Sequence, residues 1–135
     1  MAAVVPWLNK EQLLYDLTGP SAASRALWVY VNGHRDLYTA YNFTWNTDYC
    51  SAHILWKIKD NPAGADWKPA CLRHDFGYHN YKAIGGFTDE TKRRIDDTFY
   101  WDMVDACITE VPVTSQPICE SMAATYYYFV RVFGT

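Results

Sequence analysis

At 135 residues the chain is long enough for one domain and too short for two with separate cores. A composition that is 50% hydrophobic supplies ample core, and twelve Lys and Arg against fifteen Asp and Glu leave a net charge of −3, without the basic excess that nonspecific nucleic-acid binding requires. No apolar run approaches the roughly 18 residues of a bilayer span, and residues 1–8 lack the basic start and long apolar stretch of an intact signal peptide.

Helical signals dominate the pass along the chain. A first helix is expected over 11–17, after Pro6 and before the Gly19-Pro20 stop. Ser21 can cap a second, whose apolar positions Ala26, Leu27, Tyr30 and Val31 recur at helical spacing until Asn32-Gly33. A short third helix is expected over 35–41. Residues 42–69 are rich in Asn, Asp, Gly, Pro and Trp and read as loop, with a turn at Asn61-Pro62-Ala63-Gly64. The helical pattern resumes over 70–83 and stops at Gly85-Gly86. Thr88 then caps a helix running to about Cys107, with Asp89 and Glu90 favourably placed for its dipole. A last helix runs from about Ser115, with Pro117 in its first turn, to Gly134. Alternating strand patterns are almost absent, so the fold class is all-α: a small helical bundle around two antiparallel central helices.

Four cysteines, Cys50, Cys71, Cys107 and Cys119, would form two bridges in an oxidising compartment, with three possible connectivities. Spacing suggests Cys107 with Cys119, which leaves Cys50 with Cys71; each bridge would contribute roughly 3 kcal/mol. The rival is a zinc site, because Cys50-Ser-Ala-His53 and Cys71-Leu-Arg-His74 are two CxxH pairs.

Counting helical rise brings two polar residues together. From His74 to Ala83 the chain climbs about 14 Å, and from Thr88 to Asp96 it descends about 12 Å, so the two side chains reach nearly the same height. Asp96 shares an inward stripe with Phe99, Tyr100, Met103 and Cys107, whereas Asp97 lies one step round and can pair with Arg93. A carboxylate on an apolar face costs several kcal/mol unless it is satisfied. His74, on a face with Gly77, Tyr78 and Tyr81, can satisfy it. Such a pair is either a general base with its orienting acid or a hydrogen bond that only joins two helices. There is no G-x-S-x-G nucleophile elbow, which disfavours a serine hydrolase.

The run Cys71-Leu-Arg-His74-Asp75-Phe76-Gly77-Tyr78 strongly resembles the secreted phospholipase A2 enzymes of bacteria and fungi, whose signature is a Cys followed by Arg-His-Asp-Phe-Gly-Tyr. Residues 43–50 resemble that family's calcium segment, residues 92–103 its second central helix, and the spacing of Cys107 and Cys119 also agrees. The resemblance covers residues 22–134 and implies a single phospholipase A2-like domain over 1–135. It makes His74 the general base and Asp96 its partner, and makes Asp48, the Tyr49 carbonyl and Asp75 the ligands of a Ca2+ cofactor. It also implies the pairings Cys50 with Cys71 and Cys107 with Cys119. Two departures stand out: a longer loop between Cys50 and Cys71, and Tyr49 where an aliphatic residue is common.

The implied activity is calcium-dependent hydrolysis of the sn-2 ester of glycerophospholipids. Calcium seeks six to eight oxygens, so two carboxylates and one carbonyl leave room for water and a phosphate oxygen. Neighbouring helical residues point about 100° apart, which lets Asp75 face the ion while His74 faces the attacking water. The expected partner is a phospholipid membrane surface or micelle, the expected state a monomer, and the expected location extracellular, with the signal or pro-segment trimmed. Plainer readings stand beside these. Asp48 can simply turn the chain; His53 and His79 read as surface or supporting residues, and His34 as solvated. Asn42-Phe43-Thr44 is a glycosylation sequon. Trp7, Trp56 and Trp67 are the candidates for membrane contact. The rival functions are a non-catalytic secreted lipid- or partner-binding module on the same scaffold, and a structural-zinc protein.

Overall fold

Helix α1 (Lys10–Leu17) begins where the Asn9 side chain accepts the Gln12 N–H at 2.8 Å, in a computed structural model that describes residues 9–47 and 64–135. It buries Leu13, Leu14 and Leu17 completely. Helix α2 (Ala22–Gly33) is capped by Ser21, whose hydroxyl accepts the Ser24 N–H at 3.1 Å. The expected short helix over Arg35–Tyr41 is a 3₁₀ helix, η1, interrupted at Tyr38 and closed by Asn42 in the left-handed region (φ 54°).

Helix α3 (Lys68–Ala83) starts two residues before the expected position. Pro69 lies inside its first turn, where the missing N–H has no helical partner to lose. Gly85, at φ +74°, turns the chain toward Thr88, which caps helix α4 (Asp89–Glu110). The Thr91 hydroxyl reaches back to accept the Thr88 N–H at 2.8 Å, completing a reciprocal cap. A single 3₁₀ turn (Val113–Ser115) leads into helix α5 (Gln116–Phe133), with Pro117 in its first turn. The fold is all-α, and no strand occurs among the described residues.

Helix α4 packs against both α3 and α5. The Cys107–Cys119 disulfide, with a Cα–Cα distance of 5.7 Å, fastens the last turns of α4 to the first turn of α5. Around it Phe99, Met103, Ala123 and Val130 form one apolar cluster; Leu13, Leu17, Trp28, Val31, Phe76 and Ile95 anchor a second between α1, α2 and the outer face of α3. Each fully buried Leu or Ile in such a cluster contributes about 1.5–3 kcal/mol.

Several expectations are corrected. Trp67 is 0% exposed and packs edge-on to Tyr126, so it is core rather than a membrane contact. Tyr100 is 37% exposed and leaves the inward stripe, its ring lying instead beside that of Tyr127 on α5 at 5.4 Å between centroids. Asp97 accepts the Tyr127 hydroxyl of α5 at 2.6 Å rather than pairing with Arg93. Cys71 is disulfide-bonded, so it is no thiolate ligand and the Cys2His2 zinc reading fails. The turn at 61–64, except Gly64, and Trp7, Cys50, His53 and Trp56 lie outside the described residues.

Candidate active site

The site grows from the close approach of α3 and α4. A Cβ at Gly77 would sit 2.8 Å from Ile95 Cγ2, well inside contact distance, so only glycine lets the two helices meet here. One step from this crossing on α4, and one turn away on α3, lie Asp96 and His74. His74 Nε2 lies 2.8 Å from Asp96 Oδ1, the pairing that the helical-rise count anticipates. His74 is 4% exposed and Asp96 0%. The imidazole is held between the Tyr78 and Phe99 rings, at 4.3 and 4.7 Å between centroids, and so sits where the two apolar clusters adjoin.

Asp96 is saturated. Its Oδ1 also accepts the Tyr78 hydroxyl at 2.6 Å, while Oδ2 accepts Lys92 Nζ at 2.9 Å and Arg131 Nη1 at 2.7 Å. Burial alone would raise this carboxyl; the hydrogen bond and charge of His74, with the Tyr78 and Lys92 hydrogen bonds, outweigh it and hold the group below its ordinary value. Burial and the adjacent Asp96 push the Tyr78 phenol far above its usual range, so it stays a donor. An ionised Asp96 can only accept, which requires a proton on His74 Nε2 and, whenever the imidazole is neutral, leaves Nδ1 as the ring's acceptor. That Nδ1 is buried and makes no hydrogen bond among the described residues. The arrangement can take a proton at Nδ1 and stabilise the resulting imidazolium through Nε2.

A second set of bonds ties the segment 42–47 to α3. The Asn80 side chain, 0% exposed, accepts the Thr44 N–H at 2.8 Å and donates to the Thr44 carbonyl at 2.9 Å. His79, exposed as expected, has Nδ1 3.1 Å from the Asn46 carbonyl oxygen. The Thr47 hydroxyl donates to Asp75 Oδ2 at 2.5 Å. Asp75, 7% exposed, therefore presents its carboxylate to the residue immediately before Asp48. Asp48 and Tyr49 lie outside the described residues. A hard divalent cation suits this donor chemistry, because the Asp75 carboxylate adjoins the chain that carries a second carboxylate and a carbonyl. His34 is exposed, and its Nδ1 bonds locally, 2.8 Å from the Tyr30 carbonyl oxygen of α2.

Asn80, Thr47, Lys92 and Arg131 are the site residues that sequence reasoning missed. Thr47 stands within the segment 43–50 and Asn80 just beyond the run 71–78, but nothing in their spacing says that a loop crosses over α3. Lys92 precedes Asp96 by four residues and so carried a readable helical signal; Arg131, 35 positions away, carried none.

The geometry can be set beside known proteins. The family description "Prokaryotic phospholipase A2" matches residues 22–134. A protein of Beauveria bassiana (strain ARSEF 2860) named "Secretory phospholipase A2" is 40% identical over 90 residues, covering 67% of this chain and 43% of that protein. A protein of the same name from Arthroderma benhamiae (strain ATCC MYA-4681 / CBS 112371) is 36% identical over 92 residues, covering 67% of this chain and 59% of its own length. The match thus spans about half the length of these relatives.

Proposed function

The chain belongs to the prokaryotic phospholipase A2 family, and from that premise we propose that residues 1–135 form one secreted, monomeric, calcium-dependent phospholipase A2 domain that hydrolyses the sn-2 ester of glycerophospholipids. The observation that supports this most is the divided imidazole: Nε2 is committed to Asp96 at 2.8 Å, and Nδ1 is buried without a hydrogen bond among the described residues.

In this reading His74 Nδ1 draws a proton from the attacking water as the new C–O bond forms. Asp96 holds the ring's tautomer and stabilises the imidazolium, which then returns its proton to the leaving alkoxide. Water is the nucleophile, so no acyl-enzyme forms. Asp75, Asp48 and the Tyr49 carbonyl would hold calcium, which when bound supplies positive charge for the phosphate and for the developing oxyanion. Tyr78 and Phe99 flank the buried ring while Nε2 is committed to Asp96, so the proton is exchanged through Nδ1. Export agrees with the disulfide-bonded cysteines and with the word "secretory" in the names of both relatives.

The test is product analysis on a phosphatidylcholine whose two acyl chains differ. We expect calcium-dependent release of the sn-2 chain alone, abolished by a chelator and restored by added calcium. Release of the sn-1 chain, or release indifferent to the chelator, would overturn the reading. Saturable vesicle binding with no fatty-acid release would favour the non-catalytic binding module.

A further inference from the structure

Oδ2 of Asp96 is the one edge of the dyad that faces neither His74 nor Tyr78, and it is occupied by two cations from different helices. Lys92 Nζ reaches it at 2.9 Å from one turn earlier on α4, and Arg131 Nη1 at 2.7 Å from the last turn of α5. Lys92 also donates to the Val130 carbonyl at 2.7 Å and to the Arg131 carbonyl at 3.2 Å. It thereby adds a donor to the Val130 carbonyl, which also accepts the Gly134 N–H at 2.9 Å, and reaches the Arg131 carbonyl in the last turn of α5. Directly beyond, a Cβ at Gly134 would fall against both the Tyr78 hydroxyl and the Val130 carbonyl, so the C-terminal turn is closely fitted to the dyad.

We propose that Lys92 and Arg131 are positioning residues for the catalytic dyad, making the C-terminal turn of α5 part of the machinery that fixes the tautomer and orientation of His74. The inference rests on the reading of His74 as general base. A carboxylate offers about four acceptor sites, and here all four are filled by four donors. With Oδ2 clamped, the carboxylate cannot swing away from Nε2 without breaking two charge-assisted hydrogen bonds. The two cations also compensate a charge that burial would otherwise neutralise. A protonated or rotated Asp96 would leave the imidazole free to take the other tautomer, with its proton on the nitrogen that must accept one.

The test compares Lys92→Met, Arg131→Gln and the double variant with the conservative Arg131→Lys, measuring kcat and KM for sn-2 release at saturating calcium, each also in an Asp96→Asn background. Arg131 is 22% exposed at its side chain and sits on the terminal turn, so Arg131→Gln is expected to fold; melting temperatures identify any variant that does not. We expect kcat to fall about tenfold in each single variant and further in the double, the range expected for slight misplacement of a catalytic group. KM should stay unchanged, Arg131→Lys should recover most of the rate, and no further fall should occur once Asp96 is Asn. A folded Arg131→Gln variant with kcat within twofold of the unaltered protein would overturn the inference, as would an undiminished fall in the Asp96→Asn background. Its failure is separable from failure of the underlying reading: unaltered protein that releases no fatty acid, or His74→Ala that still does, overturns the base assignment itself.

Discussion

Two buried aspartates on α4, six residues apart, show how donor number decides the state of a carboxylate. Asp96 has four donors and is held below its ordinary value. Asp102 has one close ion pair, with Arg73 at 2.8 Å, and a looser one with Arg25 at 3.5 Å; burial prevails over both and pushes it up to about 6. Arg73 in turn bonds the Leu17 and Gly19 carbonyls at 3.0 and 2.7 Å and the Ser24 hydroxyl at 2.7 Å, so this pair joins the α1–α2 connection to the central helices. The Asp96 shift has a definite sign in stability. A carboxyl held below the unfolded value of 3.8 contributes stability that is present above that pH and lost as the pH falls through the folded value. The stability gap between the unaltered protein and Asp96→Asn is therefore expected to be widest above pH 4 and to narrow below it, read from urea midpoints at a series of pH values. A gap independent of pH would contradict the assignment of Asp96 as a buried, ionised acceptor.

At the scale of the helices, the site depends on how near α3 and α4 lie at Gly77. Gly77→Ala places a methyl against Ile95, and overpacking of this kind costs about 1–3 kcal/mol. We expect a lower melting temperature and reduced sn-2 release together, and a smaller cost of Gly77→Ala in an Ile95→Ala background, where both clashing γ carbons are gone; an equal cost in the two backgrounds would show that the contact is unimportant. Much of this pairing was legible in the sequence, because rise per residue and a short Gly-Gly turn fix which residues of consecutive antiparallel helices share a height. Ser21 and Thr88 were legible as caps for a local reason, since each bonds an N–H three residues on. What could not be read came from non-consecutive packing. Arg131 reaches Asp96 only because the α4–α5 register happens to bring the last turn of α5 there, and Asp97 meets Tyr127 for the same cause. Trp67 resembled an exposed loop aromatic because its burial is made by Tyr126, nearly sixty positions on. The start of α3 at Lys68 rather than 70 has a local cause, since a first-turn proline is compatible with the helix it opens.

For the molecule as a whole, α5 lies far along the chain from the signature on α3, yet it is fastened at both ends: by Cys107–Cys119 at its start and by Lys92 and Arg131 at its finish. Replacing both cysteines of that bridge with alanine should lower unfolding free energy by about 3 kcal/mol, measured by urea titration, since a closed loop of this length restrains the unfolded chain by that amount. A loss under 1 kcal/mol would mean that the polar clamp at the other end holds α5 unaided. With a net charge of −3, lipid engagement should depend on apolar contact more than on attraction to anionic headgroups. All of this serves one imidazole. The most direct measurement is the rate of sn-2 fatty-acid release by His74→Ala at saturating calcium, with circular dichroism to establish that the helices persist. A fall of about a thousandfold or more with the helices intact is predicted for a general base that also fixes the attacking water. Retention of even a tenth of the rate by the folded variant would contradict it.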